Sequence, residues 1–175
     1  MRIIAGRWRG HGIRAPRGMD TRPTTDRVRE AWFSALQPAL GGARVLDLYA
    51  GSGALGLEAL SRGAAHVTFV ERSAGALRAL RENIEKLGAA GQAEIIREDV
   101  LRYLPALRPG AFDIALADPP YGTGQAATLA RLYQRTPFAD SLWIEHSMRE
   151  PLADADVARS RRYGDTLLTT LTAAS

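Results

Sequence analysis

No cysteine occurs in the 175 residues of this chain, which excludes disulfide staples and thiolate metal sites. The absence fits a reducing compartment, and a cytoplasmic location is expected. No apolar run approaches the roughly 18 residues that a membrane-spanning helix requires. The N-terminal Met1-Arg-Ile-Ile-Ala-Gly-Arg7 is also too short a hydrophobic stretch for a secretory signal. A soluble protein with no membrane partner is therefore expected. Histidine is scarce: His11, His66 and His146 are widely scattered without metal-ligand spacing, so no metal site is expected. Lysine is scarcer, Lys86 being the one lysine among 23 basic residues.

What is present suits one compact domain, since 46% of the residues are hydrophobic and the length allows a sizeable core. Charge is unevenly placed. Residues 1 to 29 hold eight arginines against Asp20 and Asp26, a net of +6, whereas the remainder carries a net of −2. Genomic base composition accounts for arginine in place of lysine, but it acts on the whole chain and does not explain concentration at one end. A localised basic segment points to a polyanionic partner, RNA or DNA. Within it, Ile3-Ile4-Ala5 and Ile13 are short apolar pieces separated by Gly6, Gly10 and Gly12. They read as a small β-hairpin arm over residues 1–20, with Arg7, Trp8, Arg9 and His11 around its tip. Guanidinium and indole groups together contact phosphate and stack on bases; the competing reading is that Trp8 packs on the main body.

The body is organised around residues 44–56, Arg44-Val-Leu-Asp-Leu-Tyr-Ala-Gly-Ser-Gly-Ala-Leu-Gly56. A short apolar run holding one carboxylate, Asp47, breaks into Gly51, Gly53 and Gly56 before an Ala/Leu-rich helical stretch. This is a strand, a glycine turn and a helix start, with free helix N–H groups directed at the turn. The pattern Gly51-x-Gly53-x-x-Gly56 also fits a dinucleotide site, and Glu71 ends the next apolar run at the expected distance. Two features tip the choice: a carboxylate at Asp47 suits the ammonium and sulfonium of S-adenosylmethionine and repels a pyrophosphate, and Asp118-Pro119-Pro120-Tyr121 closes the apolar run Phe112–Ala117.

Around this stretch, Thr21-Arg-Pro-Thr-Thr-Asp26 offers a helix cap, followed by Val28, Ala31, Trp32, Ala35 and Leu36 at helical spacing, with Trp32 and Phe33 read as core. Strands are expected near 44–48, 66–71, 93–97, 112–117 and 141–146, and helices near 54–62, 73–87, 99–106 and 124–135. Such alternation predicts parallel strands joined by right-handed crossovers, with helices on both faces. The tail, Val157–Tyr163 and Thr166–Thr172 about Gly164-Asp165, reads as an antiparallel hairpin. Residues 21–175 then form the main domain.

The fourth strand runs into Asp118-Pro119-Pro120-Tyr121. The prolines have no N–H and restricted φ, so they end the ladder and hold a rigid turn whose carbonyls stay available. An exocyclic amino group on a nucleobase can donate to the Asp118 carboxylate and the Pro119 carbonyl, leaving its lone pair directed at an electrophilic methyl. Tyr121 can lie against the face of a base taken out of its stack.

Together, Val45–Leu60, Thr21–Glu30, Asp118–Tyr121 and Tyr163-Gly-Asp-Thr166 resemble the RsmD family of bacterial small-subunit ribosomal RNA guanine-N2 methyltransferases, over Met1 to about Leu171. The resemblance implies an α/β fold, the Rossmann-like class I S-adenosylmethionine-dependent methyltransferase, with a seven-stranded, mostly parallel sheet in the order 3-2-1-4-5-7-6, an antiparallel last strand and an N-terminal β-hairpin. It implies that Asp47, Gly51 and Gly53 line the methionine moiety of S-adenosylmethionine, that Glu71 holds the ribose hydroxyls, and that Asp99 meets the adenine amino group beside Val100. Thr24, Tyr49 and Arg72 join that cofactor set. Asp118, Pro119, Pro120 and Tyr121 are the implied catalytic residues, and Arg7, Trp8, Arg9, Arg14 and Arg22 the implied RNA contacts. The implied partner is ribosomal RNA, in the small subunit or an assembly intermediate. Adenine N6 or protein glutamine as methyl acceptor, a nicotinamide-dependent oxidoreductase and a non-catalytic RNA-binding assembly factor are the alternatives. Glu145-His146 ends the fifth strand near the site, and residues 138–156 receive no role.

Overall fold

The computed structural model describes residues 1–16, 26–152 and 159–174. The expected cap residues Thr21–Thr25, with Arg22 and Thr24, and the start of the tail at Val157 lie outside the described residues. Helix α1 (Asp26–Leu40) is followed by β1 (Arg44–Leu48), α2 (Ala54–Ser61), β2 (His66–Glu71), α3 (Ala74–Lys86), β3 (Ala93–Arg97), α4 (Val100–Tyr103), β4 (Phe112–Ala117), α5 (Gln125–Arg135), β5 (Ala139–Ser147), β6 (Arg159–Tyr163) and β7 (Thr166–Thr172). One seven-stranded sheet runs β3-β2-β1-β4-β5-β7-β6, the expected order. The strands β1 to β5 pair in parallel, and β7 runs antiparallel to both β5 and β6. Among the described residues no helix is long and apolar enough to cross a membrane.

The two faces follow the strand alternation. Val45, Val67, Phe69, Ile114 and Leu116 pack with Trp32, Phe33, Leu36, Leu57 and Leu80 of α1, α2 and α3. Their neighbours Leu46, Leu48, Val70, Ala115 and Ala117 pack with Val100, Leu129, Ala130 and Tyr133 of α4 and α5. Burial on both faces explains why the central strands are continuous apolar runs. Trp32 and Phe33 are wholly buried, as their helical spacing implied. The expected helix over 99–106 is instead one turn of α4 and a 3-10 turn, Leu104–Ala106. Pro105 cannot donate to the α-helical ladder, and the chain tightens there.

The N-terminal arm is a hairpin of minimal pairing, held by an antiparallel bridge between Arg2 and Gly12. It lies on the body. Ile3 and Ile13 are buried in the same cluster as Trp32, and Trp8 is partly buried against it. Glu58, with no exposure, accepts the Ile4 N–H at 2.9 Å and the Ala5 N–H at 3.0 Å. Arg62 Nε lies 2.9 Å from the same carboxylate, so the buried charge is paired. Ser61 Oγ accepts the Trp8 N–H at 3.0 Å and donates to the Ala5 carbonyl at 2.6 Å. The arm thus borrows polar groups from the last turn of α2.

Replacing Glu58 by Ala leaves two arm N–H groups and Arg62 Nε without their partner, while Arg62 Nη2 keeps Glu30 at 3.0 Å. Removing one member of such a buried pair costs about 3–5 kcal/mol. Urea denaturation of Glu58→Ala is expected to show that loss with an unchanged m-value, and a midpoint equal to the parent's would mean the arm is not anchored through this carboxylate.

Candidate active site

The parallel strands β1 and β4 are neighbours, and both end at the same edge of the sheet, Leu48 pairing with Ala117. The glycine turn and the Asp118–Tyr121 turn therefore leave adjacent strands side by side. This is the reversal point of the strand order, where open α/β sheets bind ligands.

The three glycines divide the work. Gly51 sits at φ +58°, and a Cβ placed on it meets nothing within 4 Å, so its backbone faces open space. A Cβ on Gly53 would lie 2.4 Å from Leu80 Cδ1, and one on Gly56 would lie 2.3 Å from Phe69 Cε1. These two let α2 approach α3 and β2, which sets the start of α2 beside the end of β1. Asp47 shares the face of Val45 and accepts the Gly56 N–H at 2.9 Å with 1% of its surface exposed. Burial pushes its carboxyl well above the usual carboxylate range; the Gly56 N–H opposes this, and the charges of Asp118 and Glu71 add to it.

Glu71, at the end of β2, is tied to the glycine turn. Its Oε2 accepts the Gly51 N–H at 2.8 Å, and its Oε1 accepts the N–H groups of Arg72 and Ser73 at 2.8 Å each. One acceptor position stays open on Oε2. Asp99 caps α4 through Oδ1, which accepts from Leu101 at 3.0 Å and Arg102 at 3.3 Å, while Oδ2 stands 3.4 Å from Arg72 Nη1. Val100 is buried beneath it. Tyr49 is the one non-glycine residue at positive φ among the described residues, at 58°. A conformation of this kind costs on the order of 1–3 kcal/mol and marks functional sites more often than ordinary turns. Its hydroxyl is buried without a hydrogen-bond partner, and burial together with the Asp99 charge holds it neutral.

The Asp118–Tyr121 turn has a partly buried Asp118, a buried Pro119 and an exposed Pro120. The Tyr121 hydroxyl is 3.0 Å from Thr166 Oγ1, which orients the ring from the first residue of β7. Thr123 Oγ1 donates to the Pro120 carbonyl at 2.8 Å.

The RNA-contact candidates fall elsewhere. Trp8 and Arg7 are held at Ser61, the last residue of α2, where the Arg7 N–H donates to the Ser61 carbonyl at 2.9 Å. The Arg7 guanidinium bonds Gln92 Oε1, just before β3, and stacks 4.0 Å over the Trp8 ring. These positions flank the edge where the parallel strands begin, opposite the glycine turn. Arg14 lies nearer the turn: the buried Asn83 side chain accepts the Arg14 N–H at 2.7 Å and donates to the Arg14 and Ser52 carbonyls at 2.9 Å each. Arg7, Arg9 and Arg14 are exposed.

Sequence reasoning passed over Glu150, in the stretch given no role. Its carboxylate accepts the Gly122 and Gly124 N–H groups at 2.7 and 3.2 Å. A single glutamate beyond the end of a strand carries no motif; only the close approach of two turns distinguishes it. His146 is buried, with Nδ1 at 3.0 Å from the Glu150 carbonyl and Nε2 at 2.7 Å from Thr169 Oγ1. Burial lowers its pKa, so it is a structural imidazole. Among the described residues no group of three or more His, Asp or Glu side chains is arranged to hold a metal ion.

The donor set fits S-adenosylmethionine: a backbone facing open space at Gly51, acidic groups converging from β1, β2 and β4 on a place suited to positive charge, and a buried hydroxyl on Tyr49 with hydrogen-bonding capacity unspent. The fold and this site define a class I S-adenosylmethionine-dependent methyltransferase. The chain belongs to the family described as conserved hypothetical protein 95, the RsmD family, whose model matches residues 1–172. It is similar to the YlbH protein of Bacillus subtilis (strain 168), 37% identical over 94% of each chain. It is also similar to the ribosomal RNA small subunit methyltransferase D of Escherichia coli (strain K12), 43% identical over 71% of this chain and 62% of that one. The solved structure of yhhF from Escherichia coli superposes with a TM-score of 0.84 at 34% identity, covering 97% of this chain and 96% of that one.

The raised pKa of Asp47 has a direct consequence. A carboxyl whose folded pKa lies above its unfolded value contributes stability at low pH that is lost as pH rises toward the folded value. Asp47→Asn keeps an acceptor for the Gly56 N–H and removes the buried charge. The ligand-free variant is therefore expected to melt higher than the parent, by about 2–4 °C per kcal/mol relieved, with the gap widening from acid to neutral pH. S-adenosylmethionine affinity is expected to fall about 10- to 100-fold, the scale of losing a charged hydrogen bond. Calorimetry of both proteins from pH 4 to 8 checks the pair of effects; a variant that melts lower than the parent at neutral pH contradicts the assignment.

Proposed function

We propose that this protein transfers a methyl group from S-adenosylmethionine to the exocyclic N2 amino group of a guanine in small-subunit ribosomal RNA. The observation that carries the reading is the emergence of the Asp118–Tyr121 turn beside the glycine turn, with the charges of Asp118 and Asp47 close enough to act on each other. The names of its relatives support the substrate class: the Escherichia coli protein is called a ribosomal RNA small subunit methyltransferase D, and YlbH carries rRNA methyltransferase in its name.

S-adenosylmethionine, when bound, supplies an electrophilic methyl group. Asp47 and the Gly51 backbone would hold its methionine end, Glu71 its ribose, and Asp99 with Val100 its adenine. Asp118 accepts one hydrogen of the target amino group and the Pro119 carbonyl accepts the other, which withdraws the nitrogen lone pair from delocalisation into the ring and directs it at the methyl group. The Asp118 carboxylate then stabilises the positive charge that builds on nitrogen as the bond to carbon forms and the bond to sulfur breaks. The extra proton then passes from nitrogen to solvent water, which restores the neutral amine. Tyr121, steadied by Thr166, lies against the flipped base.

Arg7, Trp8 and Arg9 supply RNA affinity at the opposite edge of the sheet. Strands of five or six residues separate the two edges by about 20 Å, so the RNA spans the body while its target base enters the site. Replacing Arg7 and Arg9 by Ala is expected to weaken RNA binding and to lower the slope of log K against log salt by about 0.7–0.9 for each phosphate that is no longer neutralised. Cofactor affinity stays constant. A double mutant with the parent's salt slope removes the arm tip from the RNA surface.

The activity itself is tested with labelled S-adenosylmethionine on small subunits and on naked RNA, followed by nucleoside mass analysis. N2-methylguanosine is the expected product; N6-methyladenosine or methylated protein overturns the acceptor assignment. Asp118→Ala is expected to lower kcat by about 10² or more, the effect of deleting one preorganised electrostatic partner, with cofactor and RNA affinities little changed. Asp118→Asn keeps an acceptor without the charge and is expected to fall between the two. A parental rate for Asp118→Ala in single turnover removes the residue from the mechanism.

A further inference from the structure

The turn that follows Tyr121 reads Gly122-Thr123-Gly124 and precedes α5. Two glycines leave such a segment with much conformational freedom, and it carries the chain directly from the Asp118–Tyr121 turn into α5. Glu150 restrains it from outside. Its Oε2 accepts the Gly122 N–H at 2.7 Å and its Oε1 the Gly124 N–H at 3.2 Å, one carboxylate spanning both ends of the three-residue segment. These two N–H groups hold the carboxyl below the usual carboxylate range, so it stays ionised throughout the neutral range.

Glu150 is itself held on a braced support. Its N–H donates to the Ser147 carbonyl at 3.0 Å, and the neighbouring Met148 N–H donates to the Asp165 carbonyl at 3.0 Å. Its carbonyl receives His146 Nδ1 at 3.0 Å, and the same imidazole reaches Thr169 Oγ1 at 2.7 Å, which in turn lies 3.1 Å from Ser160 Oγ. A neutral ring meets both partners at once: Nδ1–H donates to the carbonyl and Nε2 accepts from the Thr169 hydroxyl. Residues 147–150 are thus fixed to β5, β7 and the β6–β7 turn. The Thr166 hydroxyl holds Tyr121 from the same side. Tyr121 and the Gly122–Gly124 segment are thus held from β7 and from the residues that follow β5.

We propose that Glu150 is a positioning residue for methyl transfer, its carboxylate holding the Gly122 and Gly124 N–H groups so that Asp118 and the Pro119 carbonyl meet the amino group in reactive geometry. The proposal rests on the catalytic reading of Asp118–Tyr121. Glu150 touches neither substrate nor cofactor and acts through the backbone of the turn. Because the carboxylate lies at the surface, its loss costs the fold little, whereas a displacement of about 1 Å at a reacting group can lower a rate by about 10²-fold.

The test compares Glu150→Ala, Glu150→Gln and Asp118→Ala with the parent, measuring single-turnover methylation, S-adenosylhomocysteine affinity and thermal unfolding. Glu150→Ala is expected to lower the rate of the chemical step by about 10-fold or more, within the range set by misplacement of a reacting group, while cofactor affinity and melting temperature stay at parental values. Glu150→Gln keeps one acceptor oxygen and is expected to recover part of the rate. Amide exchange at Gly122 and Gly124 is expected to quicken in the Ala variant and less so in Gln. A parental rate in Glu150→Ala, with Asp118→Ala inactive, overturns the proposal and leaves the catalytic reading intact. An active Asp118→Ala overturns the catalytic reading first. A rate loss in Glu150→Ala that merely follows a lowered melting temperature, with no recovery in Gln, also overturns the proposal.

Discussion

The site depends on one close approach, the packing of α2 against β2 and α3 through Gly53 and Gly56. With phenylalanine and leucine side chains filling the space that two Cβ atoms would need, the first turn of α2 comes near enough for the Gly56 N–H to reach Asp47. A buried carboxylate without that bond would be costly, and even with it the charge is poorly accommodated. The strand end, the helix start and the ligand charge are thereby coupled. Burial is the larger part of the cost at Asp47, and the charges of Asp118 and Glu71 add to it.

The two ends of the sheet carry different tasks. At the carboxyl edge, acidic groups on or after β1, β2 and β4 gather near the glycine turn, and the Asp-Pro-Pro-Tyr turn leaves the neighbouring strand beside them. At the opposite edge lie Arg7 and Trp8, clamped to Ser61 and Gln92. The separation follows from chain direction: α2 begins at the glycine turn and ends beneath the sheet, and the arm docks on its last turn. Asn83 bridges the two regions, bonding the arm backbone at Arg14 and the glycine-turn backbone at Ser52 from one buried amide.

Much of this was legible before any coordinates. Glu71 and Asp118 end or follow apolar runs, Asp47 lies within the last residues of one and Asp99 follows the third strand, and in a parallel sheet such positions fall toward the same edge. The strand order followed from resemblance and agrees with the structure. Helix ends were less legible where a proline interrupts, as at Pro105, because periodicity does not distinguish an α-turn from a 3-10 turn. Whether Trp8 serves nucleic-acid contact or packs on the body was open, since Ile3, Ile13 and Trp8 are too few to reveal which apolar surface receives them.

The sequence by itself determined the layered α/β plan and the chemical character of the site, because strand and helix periods, glycine turns and proline stops are local properties of the chain. The tertiary structure alone decided which polar groups meet across long separations: Glu58 with Ile4 and Ala5, Asn83 with Arg14 and Ser52, Glu150 with Gly122 and Gly124, Thr166 with Tyr121. None of these pairings can be read from periodicity or spacing, even where a member such as Thr166 or Tyr121 lies in a motif. Each partner is set by where whole elements come to rest, and that depends on the packing of the two hydrophobic faces, a property of the folded chain and of no segment within it.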